Sequence, residues 1–301
     1  MILVGALLLD LGIGEPPNFC HPVAWLGAAL GRAFRAAPRQ GRLTPFLSGA
    51  VIVGAAAGAT AWLLLWTTPA IASLGWLGVS AQIWLLKCSF SLRGLFSAAR
   101  SVQRALAAGD LERARAEVGL HLVSRPTSGL GAGGVASATV ESVAENLTDG
   151  FVAPVLFYLL LGLPAAWAYR VVNTADAMVG YRGGEFEYLG KAAARLDDLL
   201  NLVPTRLAAL ALVAGAALAA DGRRALRTAR RDHALTASPN AGWTMAAMAG
   251  ALGVVLEKPG AYRLGEGRPP TAADIGVSLR VVAVAAALAA TVAVVTAAVS
   301  R

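Results

Sequence analysis

The sequence predicts an all-α protein: a multi-pass transmembrane helical bundle with a cytoplasmic helical segment. Three observations predict it. The 301 residues are 56% hydrophobic and 15% charged, whereas soluble domains hold about 45–50% and about 25%. Uncharged stretches recur at lengths near the roughly 20 residues that a bilayer-crossing helix needs. The Arg residues gather between those stretches, as they do in cytoplasmic loops. Mean hydropathy is +0.60. Residues 1–301 read as a single integral membrane domain in the cytoplasmic membrane, with lipid as one partner. No strand pattern and no internal repeat stands out.

Taken in order, Met1–Leu9 is a short apolar run interrupted by Asp10. It has no basic residue ahead of it and no small-residue cleavage site, so a half-span or interfacial helix is expected rather than a removable signal peptide. No charge occurs from Thr44 to Leu86. Thr67-Thr68-Pro69 divides that stretch into candidate spans 45–66 and 70–86. Arg32, Arg35, Arg39 and Arg42 precede the pair and Lys87, Arg93, Arg100 and Arg104 follow it, which puts both ends in the cytoplasm. Residues 88–149 form a polar, cytoplasm-facing helical insertion. Ser97–Val118 alternates Arg/Glu with Ala/Leu at helical spacing, with a turn at Gly109-Asp110. Further candidate spans are 150–169, 200–220 and 281–300. Arg223, Arg224, Arg227, Arg230 and Arg231 mark a second cytoplasmic stretch, and Ala241–Leu256 reads as a half-buried helix.

The formal net charge of +8 is also typical of nucleic-acid-binding proteins. Its placement between apolar stretches instead follows membrane topology, so no nucleic-acid partner is expected. Cys20 and Cys88 are too few for a disulfide framework, and His21, His121 and His233 lack ligand spacing.

Glu141, Glu145 and Asp149, spaced i, i+4, i+8, share one helical face beside the apolar stretch starting at Gly150. Like charges there repel and are costly near a bilayer. Mg²⁺, which favours carboxylate oxygen, would relieve both problems; a solvated acidic face paired with nearby Arg is the alternative. A second polar group holds Arg170, Asn173, Thr174, Asp176, Tyr181 and Arg182. A third holds Arg195, Asp197, Asp198, Asn201 and Arg206. Each reads as a site or as an ion-pair network that orients helices. Gly129, Gly131 and Gly134 form a G-x-G-x-x-G, but no strand precedes it, so a dinucleotide-binding reading fails. Asn240, in the turn Ser238–Gly242, is a candidate helix cap.

Together these stretches resemble one family, the membrane-bound CobD/CbiB proteins, or adenosylcobinamide-phosphate synthases. The matching residues begin with Leu7–Asp10, Gly14–Pro17 and His21-Pro22-Val23. They continue through Thr127–Leu130, the run VESVAENLTDGFVAP from Val140 to Pro154, Tyr169-Arg170 and Val172–Thr174. Asp176–Arg182, Ala194–Asn201, Ser238–Gly242 and Gly265–Pro270 complete the series. Departures are Glu15 and Pro126 in place of Asp, Ala132, Gly133 and Gly183-Gly184 in place of polar residues, and a shortened 257–264.

The resemblance implies a ligase that joins aminopropanol phosphate or ethanolamine phosphate to the propionate carboxylate of adenosylcobyric acid. ATP is the implied cosubstrate and Mg²⁺ the helper, with further membrane proteins of cobalamin assembly as partners. It implies catalytic roles for Glu145, Asp149, Asp176, Arg182, Arg195 and Asp197. Substrate contacts are implied for Asp10, His21, Thr127, Ser128, Asn146, Arg170, Asn173, Thr174, Tyr181, Asn201, Ser238 and Asn240. The metal set is Glu141, Glu145, Asp149 and Asp198. A cytoplasmic ligase needs residues 141–149, 170–182 and 195–206 on one side of the membrane, which suggests a re-entrant insertion around Pro154 and Pro164. Two other classes stay open on sequence alone: a non-catalytic sensory protein related to the beta-lactamase-induction family, and a transporter.

Overall fold

The computed structural model describes residues 1–181 and 184–299. The elements in chain order are α1 (Ile2–Ile13), α2 (Pro22–Ala36), α3 (Leu43–Ala72), α4 (Trp76–Cys88), α5 (Leu92–Ala107), α6 (Leu111–His121) and α7 (Ala132–Leu147). They continue with α8 (Ala153–Val179), α9 (Lys191–Leu200), α10 (Leu202–Ala219), α11 (Gly222–Asp232) and α12 (Ala241–Leu252). A hairpin of β1 (Leu256–Lys258) and β2 (Tyr262–Leu264) precedes α13 (Ala272–Val299). The all-α multi-pass fold is therefore as expected. Four apolar stretches among the described residues are long enough to cross a membrane: Leu43–Ala72, Ala132–Val179, Leu202–Ala219 and Ala272–Val299. Ser300, the end of the last expected span, lies outside the described residues.

Contacts divide the chain into two units. The first comprises Met1–Ser91, Ala153–Leu200 and the C-terminal residues from Thr296; the second comprises Leu92–Val152 and Asn201–Val295. In the first unit α3 packs on α8, α1 on α4 and α8 on α9. Leu30, Phe34, Val53, Val172, Ala175, Val179, Leu189 and Ala193 make its core. Leu47, Val51, Trp62, Leu63, Leu65 and Trp66 of α3 stay exposed, a band that suits lipid. The expected break at Thr67–Pro69 falls later, at Ser73–Gly75. Thr67 and Thr68 donate back to the carbonyls of Leu63 and Leu64, so the helix carries Pro69 without ending. The second expected span shortens to the 13 residues of α4.

The stretch expected as span 150–169 is not one straight helix. A π-helical turn occupies Thr148–Val152, and α8 breaks at Gly162, where φ is +74°, a region only glycine enters freely. Two arms therefore flank Gly162, between Pro154 and Pro164. In the second unit α5 and α6 form the expected pair, joined through Gly109 (φ +76°) and capped by Asp110, which accepts from the Arg113 N–H at 2.9 Å.

At the centre of that unit α12 is buried from Gly242 through Ala251 apart from Trp243, not half-buried as expected. Its Ala and Gly residues let α7, α10 and α11 approach from several sides; a 12-residue apolar helix is a core element, too short to span. The hairpin, which carries no alternating strand pattern, pairs Leu256 with Leu264 and Lys258 with Tyr262.

Candidate functional site

In the first unit the packing of α1 on α4 brings Asp10 to Lys87, a fully buried lysine on the last turn of α4. Its Nζ lies 2.6 Å from Glu15 Oε1 and 3.4 Å from Asp10 Oδ1. Glu15 Oε2 lies 2.6 Å from His21 Nε2. His21 Nδ1 accepts the Val23 N–H at 3.2 Å, capping α2. An accepting Nδ1 carries no proton, so the ring proton sits on Nε2 and is donated to Glu15. Burial pushes the Glu15 carboxyl up, but hydrogen bonds from His21, Lys87 and Ser91 outweigh it and hold it at about 2. With both nitrogens engaged, His21 fixes the turn from Glu15 to Pro22; the Asp10–Glu15–Lys87 group carries the charge.

The 170s and 190s also meet in this unit. Arg170 Nη1 donates to Asn173 Oδ1 at 3.2 Å, and Asn173 Nδ2 donates to Asp197 Oδ1 at 3.2 Å, across α8 and α9. Asp197 is buried, while Arg195 is exposed. Residues two apart on a helix point to different faces, so within the third polar group Arg195 and Asp198 share one face of α9 and Asp197 lies on another. Thr174 and Asp176 lie on the same turns of α8. Gly180 follows because nothing larger fits: a Cβ there would stand 1.9 Å from Asp176 Oδ1. Tyr181 is half-exposed, and its hydroxyl donates to the Ala177 carbonyl at 2.7 Å. Arg182 lies outside the described residues.

In the second unit, α7 carries Glu141, Glu145 and Asn146, and Asp149 follows in the π turn. Glu141 Oε1 accepts from the Ser137 hydroxyl and Oε2 from the Tyr262 hydroxyl, each at 2.8 Å; Arg125 is 3.6 Å away. The Ser137 oxygen also accepts the Glu257 N–H at 2.9 Å. Glu141 thus fastens the hairpin to α7, and burial, with Glu141 next in weight, raises the Tyr262 phenol above its usual range. Among the described residues no three His, Cys, Asp or Glu side chains gather to hold a metal ion. The Glu141–Glu145–Asp149 row is therefore not a ready metal cage; Asp198 stands on α9 in the first unit.

Asn201 Nδ2 donates to Asp149 Oδ1 at 3.2 Å. Asn146 donates to the Ser142 carbonyl at 2.9 Å. Thr127 Oγ1 donates to the Arg115 carbonyl at 2.9 Å, so it braces the glycine loop, beside exposed Ser128. Asn240 stands at the N-cap of α12 without a side-chain cap bond. Its Oδ1 accepts from Arg206 instead, its N–H donates to Ser238 Oγ at 3.2 Å, and Arg206 also lies over the Trp243 ring. Arg206 is thereby committed to this turn.

Sequence reasoning missed Lys87, Tyr262, Ser137 and Arg125. Lys87 had a signal: a single charge flanked by Leu85, Leu86 and Cys88, at the end of a long uncharged run. Tyr262 had none, because its partner lies more than a hundred residues away.

The chain matches the CobD/Cbib protein family over residues 3–291. The cobalamin biosynthesis protein CobD of Dehalococcoides mccartyi is 43% identical over 274 residues, covering 88% of this chain and 86% of that one. The probable cobalamin biosynthesis protein CobD of Methanothermobacter thermautotrophicus is 41% identical over 266 residues, covering 88% and 86%. The cobalamin biosynthesis protein CbiB of Salmonella typhimurium is 38% identical over 262 residues, covering 85% and 82%. No solved structure matches the chain. With a family match across almost its whole length and relatives at 38–43% identity covered over more than four fifths of each chain, the chain belongs to the CobD/Cbib family of cobalamin biosynthesis proteins.

Proposed function

We propose that the chain is an ATP-dependent amide-forming ligase of the cytoplasmic membrane. It joins aminopropanol phosphate or ethanolamine phosphate to the propionate carboxylate of adenosylcobyric acid, giving adenosylcobinamide phosphate. The observation that carries this reading is the family match over residues 3–291, which takes in every motif acid and arginine named above.

The chemistry needs two displacements. The propionate oxygen attacks the γ-phosphorus of ATP, the β–γ P–O bond breaks, and ADP leaves. The amine nitrogen then attacks the acyl carbon, the C–O bond to phosphate breaks, and inorganic phosphate leaves. The incoming ammonium must first lose a proton to a carboxylate. Asp197, oriented by Asn173, and Asp149, oriented by Asn201, are the candidates, with Glu145 one helical turn before Asp149 and Asp176 three residues after Asn173. Arg170, Arg182 and Arg195 supply cations for phosphate.

Glu145 and Asp149 fit a magnesium ion that arrives with nucleotide, since Mg²⁺ commonly takes one or two carboxylates plus substrate phosphate oxygens. When bound it neutralises phosphate charge. The hydroxyl contacts of Glu141 make it a brace for the hairpin.

The test is purified protein with adenosylcobyric acid, ATP, Mg²⁺ and each amino-alcohol phosphate. Adenosylcobinamide phosphate with matching ADP and phosphate is expected; absence of product with both amines sinks the reading. Membrane orientation is tested by single cysteine probes, in a background lacking Cys20 and Cys88, at Gly109 and Arg230. Arg230 is exposed, whereas its neighbour Ala229 is buried. Both probes should report the cytoplasm.

A further inference from the structure

We propose that α11 holds an anionic phospholipid headgroup on a row of three arginines, Arg223, Arg227 and Arg230. The helix carries two arginine rows. Arg224 and Arg231 turn towards the loop at 265–267. Arg224 Nη2 donates to the Glu266 carbonyl at 2.9 Å, and Arg231 pairs with Asp232 and Glu266. Arg223, Arg227 and Arg230 are spaced i, i+4, i+7 on a neighbouring face, all exposed. None of the three has an acidic partner among the ion pairs of the described residues. The acids nearest in sequence are already engaged. Asp221 accepts the Arg224 N–H at 2.9 Å, and Asp232 is held by Arg231 and by the Gly265 N–H at 2.8 Å. Three uncompensated guanidiniums therefore lie along roughly 10 Å of helix.

The other side of α11 has no room for a ligand. Ala225, Thr228 and Ala229 are buried, and a Cβ at Gly250 of α12 would stand 2.6 Å from the Arg224 carbonyl. The row has only one way to face, outward.

Its position selects lipid as the occupant. α10 is one of the four membrane-crossing candidates, and only Ala220 and Asp221 separate it from α11. A Cβ on Gly222 would stand 2.8 Å from Ala217 Cα, so the first residue of α11 is pressed against the last turn of α10. The row therefore starts within a few ångströms of the end of an apolar span, at headgroup depth. Guanidinium forks match phosphate oxygens in pairs, and basic residues at the cytoplasmic face attract anionic lipid.

The test uses detergent-purified full-length protein, stripped of lipid, with dioleoyl phosphatidylglycerol, dioleoyl phosphatidylcholine or inorganic phosphate. Lipid retention is read by native mass spectrometry and by the shift in thermal unfolding. Wild type should retain phosphatidylglycerol over phosphatidylcholine. R227Q should weaken this roughly fivefold, and R223Q/R227Q/R230Q about a hundredfold. R93Q/R100Q/R104Q, which removes the same charge from α5, should change it little. Equal retention of both lipids, equal loss in the α5 variant, or an equal effect of inorganic phosphate overturns the proposal. R227Q alone keeps the test decisive where the triple variant fails to fold.

Discussion

Lys87 in the first unit and Glu141 in the second are buried in opposite ways. In the first, a cation sits at the centre: Lys87, fully buried, with two carboxylates at 2.6 and 3.4 Å. In the second, an anion sits at the centre: Glu141, 5% exposed, held by two neutral hydroxyls, with Arg125 farther off at 3.6 Å. The first arrangement rests on charge compensation, so deleting the cation strands two acids. The second rests on hydrogen bonds to hydroxyls, so deleting one donor leaves a carboxylate that still has another. At these two sites the same cost of burying charge is met by a partner of opposite sign at Lys87 and chiefly by dipoles at Glu141, and the two should break differently.

The largest effect is expected at Lys87. Lys87→Met leaves Asp10 and Glu15 beside a methylene chain, and breaking a buried pair costs about 3–5 kcal/mol. That is a large share of a typical folding free energy. The variant should be recovered as little or no monodisperse protein in size-exclusion chromatography. Adding Asp10→Asn and Glu15→Gln removes the stranded charges and should restore much of the yield. A stable, active Lys87→Met single variant would show that the cluster is solvated and the contrast unfounded.

Next comes Glu145→Gln, which leaves the buried groups of both units intact. If Glu145 meets magnesium with the nucleotide, activity should fall at least tenfold, about 1.4 kcal/mol of transition-state stabilisation. Raised Mg²⁺ should restore part of it, and the melting temperature should stay near wild type. Full activity at all Mg²⁺ concentrations would remove Glu145 from the site.

Gly180→Ala sharpens the first unit's chemistry. The new Cβ, 1.9 Å from Asp176 Oδ1, forces the carboxylate to turn or the chain end to shift. A misplacement of this size near reacting groups lowers rate more than stability. Activity down by an order of magnitude, with a melting temperature only slightly lowered, is expected. Unchanged activity would place Asp176 away from the chemistry.

These contrasts also show what the sequence made legible. Membrane character, the α5–α6 pair and the turn at Gly109-Asp110 follow from local pattern, because hydropathy, period and turn chemistry act within a few residues. So does the meeting of Asn173 with Asp197, in part: both lie in polar runs set between apolar ones. The role of Lys87 was hidden because a lysine after an apolar run is read as a topological charge, and only the packing of α1 on α4 reveals its burial. The hairpin at 256–264 escaped notice because its strands are three residues long and its anchor, Glu141, is remote. The π turn at Thr148–Val152 escaped because a one-residue change of helical register leaves no mark in hydropathy.

A smaller effect is expected at Tyr262. Tyr262→Phe keeps the ring and removes one donor from Glu141, leaving Ser137 in place. Loss of one partner from a buried acceptor costs about 1–3 kcal/mol. The hairpin should loosen locally, seen as faster amide exchange over 256–264, while the global melting temperature falls by only a few degrees. Collapse of the whole protein would mean that the hydroxyl dipoles are as indispensable as the lysine.

The smallest effect is a pH dependence that Glu15 lends to the first unit. Glu15 has an ordinary value of 4.5 and is held at about 2 in the folded protein. A carboxyl whose folded value is depressed binds fewer protons folded than unfolded. Its contribution is therefore complete above about 4.5 and is lost as pH falls through about 2. Between those limits wild type should lose stability on acidification more steeply than Glu15→Gln, the two curves converging near the lower limit. The difference is modest because Glu15 keeps 31% of its side chain exposed, where solvent screens part of the interaction. His21→Asn should flatten the same window, because it removes the first of the three donors, His21, Lys87 and Ser91, that depress Glu15. Thermal melts at intervals across this range, on all three proteins, read the effect. Parallel curves for wild type and Glu15→Gln would mean that the Lys87 cluster does not titrate as a unit, and that the contrast lies in geometry alone.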